Sequence, residues 1–201
     1  VLADIDQTAL DEVVAGFGKR YGRDMVRGVG MDVTREEQVI AALEYTVAEF
    51  GGLDVVVNNA GITSAAAVED TSLAMWNRTM DILATGYFLV GREGYRIMKD
   101  QALGGSMVFI ASKNGVAASP GASAYCTAKA AEIHLARCMA LEGAPLGIRV
   151  NVVNPCLLYT SDAADERSSV DLGGPRFIKK KQTKKNKKKR KKQQNNTMKT
   201  H

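Results

Sequence analysis

Short apolar runs alternate with amphipathic stretches along the first three quarters of this chain, and that alternation leaves few folds open. Val1-Leu-Ala-Asp4 reads as the end of a buried strand. Asp6 is placed to cap a helix carrying Leu10, Val13, Val14 and Phe17. Met25 to Val33 is a second strand. Thr34-Arg-Glu-Glu37 has the form of a capping box, opening a helix with Val39, Leu43, Val47 and Phe50 at helical spacing. Asp54-Val-Val-Val57 is a third strand, running into Asn58-Asn-Ala-Gly61. A long helical region spans about Leu73 to Lys99. Ser106 to Ala111 and Ile148 to Val153 supply two more strands, with a helix from about Ala124 to Leu141 between them. Strands separated by helices cannot be joined by tight hairpins, so they pair in parallel and need helices on both faces. The expected class is α/β, a doubly wound parallel sheet.

Charge divides the chain into two materials. Val1 to Pro155 holds 13 Lys and Arg against 18 Asp and Glu, a balance of −5. Cys156 to His201 holds 14 against 4, a balance of +10. The domain is therefore expected over 1–155, with a disordered basic tail over 156–201. The sequence pI near 9.1 comes from the tail and is no sign of a nucleic-acid-binding domain. Cys126, Cys138 and Cys156 are an odd set without metal-ligand spacing, which points to a reduced, cytoplasmic protein. Two histidines leave little for a metal site, and none is expected. No apolar run is long enough to span a membrane.

The chemistry concentrates in Ser123-Ala-Tyr-Cys-Thr-Ala-Lys129. Tyr125 and Lys129 are four apart, so on a helix they share a face. A free phenol loses its proton only near pH ~10. A fixed cation beside it favours the ionised form, which makes the pair a candidate proton-transfer device. Alone, the spacing is commonplace and a solvated pair would be the ordinary reading. Ser112 stands thirteen residues earlier, just after a buried strand, where parallel sheets place their ligands. Its hydroxyl could bind a substrate carbonyl, although a plain loop serine is commoner. Asn58-Asn59-Ala60-Gly61 also follows a strand. Small residues there admit a flat ligand and asparagines can tie neighbouring strands together, unless the segment is only a turn. Asp4 ends the first strand, and Asp32-Val33 ends the next. An acid so placed can bind both hydroxyls of an adenosine ribose and repel a 2′-phosphate, with a helix N-cap as the plainer role.

Taken together and in order, these residues resemble the classical short-chain dehydrogenase/reductase family over about Val1 to Pro155. The resemblance implies a Rossmann fold, NAD as cofactor, and a small hydroxyl or carbonyl substrate. It assigns Ser112, Tyr125 and Lys129 as catalytic: Tyr125 exchanges the hydroxyl proton, Lys129 assists it and holds the nicotinamide ribose, and Ser112 orients the substrate. It assigns Asp4, Asp32, Val33, Asn59, Ala60, Gly61, Tyr125, Lys129 and Pro155 to the cofactor. A homodimer or homotetramer follows by analogy, through the helices at about Leu73–Lys99 and Ala124–Leu141, with no nucleic acid or membrane partner. Ala84 to Val90, Ala111-Ser-Lys-Asn114 and Ala124 to Cys138 look in particular like the dehydrogenase half of the bifunctional rhamnulose-1-phosphate aldolase/short-chain dehydrogenase proteins. That likeness implies lactaldehyde as substrate, in rhamnose breakdown.

The departures are as specific as the matches. Leu83 stands where the family usually carries an asparagine that holds a proton-relay water. The family's first strand, with its glycine-rich TGxxxGxG loop, and its last strand have no counterpart, so the resemblance implies a fragment. Because the family's first strand is central, its lack should part the first two strands here from the other three and expose unpaired edges. Such a fragment is expected to fold poorly, bind NAD weakly and be inactive, or to be a non-catalytic dinucleotide-binding piece. Cys156 to Glu166 reads as the translation of a transposase-type sequencing adapter, and Lys179 to Lys199 suits an A-rich read end. The tail is therefore taken as artefactual, the alternative being a basic segment that binds nucleic acid or anionic lipid.

Overall fold

The structure, a computed structural model, describes residues 1–156. The readings of the tail beyond Cys156 lie outside the described residues. In chain order the elements are β1 (Leu2–Asp4), α1 (Gln7–Tyr21), β2 (Gly28–Gly30), α2 (Glu36–Phe50), β3 (Val55–Asn58), α3 (Leu73–Met80), α4 (Gly86–Gln101), β4 (Gly105–Ile110), α5 (Ser123–Gly143) and β5 (Ile148–Val153).

All strand pairs are parallel, and they form two sheets. β1 pairs with β2, and β4 lies between β3 and β5. The parting falls where the sequence places it. A cleft of about 650 Å³ runs between the two sheets, lined by Leu2, Asp4 and Met31 on one side and by Val55, Val57 and Asn59 on the other. Val56 and Asn58 line it too but are buried, whereas Val55 and Val57 remain 58% and 60% exposed.

The helices show which local signals hold. Asp6 caps α1 by accepting from the Ala9 N–H at 3.0 Å. Of the apolar residues expected on α1's inner face, Leu10 is buried, while Val13 and Phe17 stay nearly half exposed. The capping box at α2 does not form. Arg35 is the N-cap and makes no side-chain cap bond. Thr34 instead donates its hydroxyl to Asp32 at 2.8 Å, and Glu37 accepts from Arg35. α2 ends at Gly51, whose φ of 79° is left-handed and favours glycine. The second strand is shorter than expected: Met25 belongs to a 3₁₀ turn over Arg23–Met25, and the strand ends at Gly30.

The long helix begins at Leu73 and runs to Gln101, but a π turn over Asp81–Thr85 divides it into α3 and α4. α4 and α5 pack on the three-stranded sheet, and α2 packs on α4. Between them lies the core of Val39, Tyr87, Met98, Met107, Phe109 and Ile148, all essentially inaccessible to solvent. Tyr87 meets Phe109 edge-on with centroids 5.4 Å apart, a contact that contributes about 0.5–1.5 kcal/mol beyond burial.

Candidate active site

α5 carries the acid–base residues because its sequence is alanine-rich and binary. Ala has the strongest helix propensity, and Ala124, Ala128 and Ala136 form a small, buried face beside Ile133 and Met139. Lys129 and Glu132 fall on that same buried face. Charges taken out of water must find partners, and these two find each other. Lys129 Nζ donates to Glu132 Oε2 at 3.1 Å and to the Ile110 carbonyl at 3.0 Å. Oε1 is 2.9 Å from Nζ but off a hydrogen-bonding direction, and it accepts no hydrogen bond.

The Ile110 carbonyl, at the end of β4, also accepts from the Tyr87 hydroxyl at 2.8 Å. The Tyr87 ring centroid lies 5.2 Å from Lys129 Nζ, and the half-buried Tyr125 ring lies 5.9 Å from it. Burial pushes the Glu132 carboxyl up to about 8, against the pull of Lys129. Burial, and then the charges of Glu132 and Tyr125, push the Tyr87 phenol far above its usual range.

Tyr125 and Lys129 line a cavity of about 630 Å³ together with Asn59, Gly61, Ile62, Thr63, Arg78, Ile110 and Ala111. The segment after β3 can come this close because Gly61 has no side chain. A Cβ there would sit 3.1 Å from Leu83 Cδ2 and 4.0 Å from Lys129 Nζ. Leu83 itself is fully buried in the π turn. Asn58 does not tie two strands together. Its side-chain amide donates to the Tyr87 carbonyl at 3.0 Å, tying β3 to α4.

The remaining sequence-assigned residues are spread more widely. Ser112 lines neither cavity. Its Oγ accepts from the Asn114 N–H at 3.2 Å and caps a short 3₁₀ turn, beside the cavity-lining Ala111. A hydroxyl that accepts still has its own proton to donate. Asp4, Asp32, Val33 and Ala60 line the wide cleft, which also touches Asn59 and Gly61. Asp4 is exposed and accepts from the Asp6 N–H at 2.9 Å. Asp32 accepts from both the N–H and the hydroxyl of Thr34, so neither acid is a helix N-cap. Pro155 is exposed and lines neither cavity; its carbonyl accepts from the Lys113 N–H at 3.1 Å.

Residues missed in the sequence are Glu132, Tyr87 and Ile110. Glu132 carried a usable signal: it is seven residues after Tyr125 and three after Lys129, on the same helical face. Tyr87 and the Ile110 carbonyl carried none, since their roles depend on how α4 meets β4.

The donor set suits a dinucleotide in part. Asp4 presents an exposed carboxylate at a strand end, fit for ribose hydroxyls, and Tyr125 and Lys129 present a phenol and an ammonium to the second cavity. The start of α1, beside Asp4, is capped by Asp6, and these two acids offer no seat to a pyrophosphate. Among the described residues no cluster of three His, Cys, Asp or Glu could hold a metal, and no helix is long and apolar enough to cross a membrane.

A family model described as short chain dehydrogenase matches residues 1–171. A Bacillus subtilis protein named Uncharacterized oxidoreductase YuxG is 48% identical over 155 residues, 77% of this chain and 22% of that protein. A Mycobacterium bovis 3-alpha-(or 20-beta)-hydroxysteroid dehydrogenase is 42% identical over 137 residues, 68% of this chain and 52% of the relative. The chain thus spans about a fifth and about half of these relatives. The crystal structure of an NAD+-bound xylitol dehydrogenase superposes with a TM-score of 0.71 at 36% identity, covering 77% of this chain and 58% of that one.

Proposed function

This chain belongs to the short-chain dehydrogenase family, and we propose that the full-length gene product is an NAD-dependent oxidoreductase acting on a small hydroxyl or carbonyl compound. The observation that carries this reading is the meeting of Tyr125 and Lys129 with Asn59 and Gly61 around one cavity. Tyr125 gives or takes the substrate's hydroxyl proton. Lys129, fixed by Ile110 and Glu132, supplies positive charge that stabilises the phenolate left when the proton departs. Ser112 donates its hydroxyl to the substrate oxygen once a substrate fills the cavity beside Ala111. Nicotinamide, when bound, supplies or accepts the hydride.

Asp4, Asp32, Val33, Asn59, Ala60, Gly61 and Pro155, with Tyr125 and Lys129, would hold the cofactor. The acids at the strand ends favour NAD over its 2′-phosphorylated form. The likeness to an NAD+-bound xylitol dehydrogenase supports the same choice. Lactaldehyde, in rhamnose breakdown, is the finer substrate reading. It rests on the likeness of Ala84–Val90, Ala111–Asn114 and Ala124–Cys138 to the aldolase-fused dehydrogenases. The Bacillus relative, of which the alignment covers 22%, is long enough to carry a second domain. Subunit pairing through α4 and α5 and a cytoplasmic location complete the proposal.

The tail over 156–201 is proposed to be no part of the enzyme, although the family match runs on to residue 171. A genomic locus that encodes the tail continuously across Pro155 would remove that reading. A non-catalytic dinucleotide-binding role is the second reading, favoured by the buried Leu83 where a relay asparagine is usual. Assaying the full-length protein with NAD and with NADP against short-chain hydroxy and aldehyde substrates separates the two. NAD-dependent turnover of lactaldehyde supports the first reading in full. Cofactor binding without turnover of any such substrate supports the second.

A further inference from the structure

Among the described residues, Glu132 is the one buried acid whose partner belongs to the acid–base pair. It is fully inaccessible, it lies one turn beyond Lys129 on α5, and its two oxygens are 2.9 and 3.1 Å from Nζ. The carboxylate answers the buried Lys129 ammonium, not the apolar packing of α5. A leucine would complete the apolar face of α5 at no desolvation cost, and an isolated buried acid is expensive. The Lys129 ammonium has only two hydrogen-bond acceptors among the described residues, the Ile110 carbonyl and Glu132. Removing Glu132 therefore leaves Lys129 held from one side.

We propose that Glu132 is a positioning residue for the Tyr125/Lys129 pair: it anchors the Lys129 ammonium beside Ile110 and sets how much of that positive charge is felt at Tyr125. This rests on the dehydrogenase reading for its catalytic consequence, but not for its electrostatics. Lys129 contacts the carboxyl, and two phenols flank the Lys129 ammonium: Tyr125 from the same helix and Tyr87 from α4, with its hydroxyl turned to the Ile110 carbonyl. Tyr87 is held in its neutral form by burial and by the charges of Glu132 and Tyr125. The charge balance at the site thus lies between Lys129, Glu132 and Tyr125. With Glu132 protonated, it still accepts from Nζ and the ammonium acts on Tyr125 uncompensated. With Glu132 ionised, the carboxylate offsets that charge.

Two variants separate anchoring from charge. Glu132→Gln keeps an acceptor for Nζ but cannot ionise. Glu132→Leu removes the acceptor. In the full-length protein, E132Q should keep kcat at its optimum within about threefold, and its acid limb should move to lower pH by roughly one unit. E132L should lower kcat by roughly 10²-fold, with KM for NAD changed far less. Tyrosine labelled with ¹³C at Cζ, its Tyr125 signal assigned by Tyr125→Phe, reads the same ionisation without turnover. It should titrate at lower pH in E132Q than in the unmodified protein. An unmoved Tyr125 titration in a folded E132Q overturns the proposal, as does equal activity of E132L and E132Q. If E132Q does not fold, the unmodified protein decides. Its Tyr125 signal should show a second inflection from Glu132, and a single-step titration overturns the proposal. A Tyr125 shift in E132Q with no dehydrogenase turnover by the unmodified protein would uphold the inference and remove the reading beneath it.

Discussion

The Asn58 side chain donates to the Tyr87 backbone carbonyl at 3.0 Å, and this bond joins the end of β3 to the first turn of α4. Asn58 is buried, and the exposed Asn59 follows it into both cavities. Replacing Asn58 with Ala takes the side-chain donor from a carbonyl that keeps its helical N–H within α4. The expected cost is about 0.5–1.5 kcal/mol in urea unfolding, seen as a lower midpoint with an unchanged slope. An Asn58→Ala protein as stable as the parent would show that the bond does not hold β3 to α4.

Glu132 makes stability depend on pH in an unusual direction. Its folded value is raised to about 8 from an unfolded value near 4.5, so between those limits the folded state holds a proton that the unfolded state has lost. That contribution is fully present below about pH 4.5 and is lost as pH rises toward about 8. The slope reaches at most ~1.4 kcal/mol per pH unit for one group. Unfolding curves from pH 5 to 8 should therefore decline more steeply for the parent than for Glu132→Gln. Parallel slopes would mean that Glu132 is ionised throughout.

The two-sheet arrangement makes a prediction about the 201-residue chain itself. β1 and β3 flank the cleft without pairing to each other, and Val55 and Val57 face it largely exposed. The residues proposed for the cofactor lie on both sides of this unpaired gap. A thermal-shift titration of this chain with millimolar NAD should show little stabilisation. A large upward shift, of the size that saturation at 100 times Kd gives (about 2.7 kcal/mol), would contradict it.

α4 presents Phe88, 42% exposed, with the Arg92 guanidinium 5.1 Å from its ring centroid. If this helix pairs subunits in the full-length protein, Phe88→Asp should reduce the particle mass in light scattering to that of a smaller assembly. An unchanged mass would remove α4 from the interface.

The order of strands and helices was legible in the sequence, and with it the placement of Tyr125 and Lys129 on one helix. Tyr125 and Lys129 could be read because helical spacing alone puts them on one face, and β3, β4 and β5 because their apolar runs are short and punctuated. The π turn at Asp81–Thr85 was hidden: its i→i+5 bonding leaves no period that differs visibly from that of the flanking helices. The capping box at Thr34 failed because Asp32, two residues earlier, offers Thr34 a nearer acceptor. Ser112 and Pro155 carried family roles, but what they bond in this fold is the local turn at Lys113. Glu132 was written three residues past Lys129. Its meaning emerged only with its burial, because an exposed acid at that position would be an ordinary helix-surface pair.

Tyr125 is the group proposed to move the substrate's proton. The most direct measurement is kcat and NAD affinity of the full-length Tyr125→Phe protein beside the parent, on a hydroxyl substrate the parent oxidises. Phenylalanine keeps the ring that shares the cavity with Lys129 and removes only the phenolic hydroxyl. The expected result is a loss in kcat of roughly 10²–10⁴-fold with NAD binding preserved. Undiminished turnover by the Tyr125→Phe protein would contradict it.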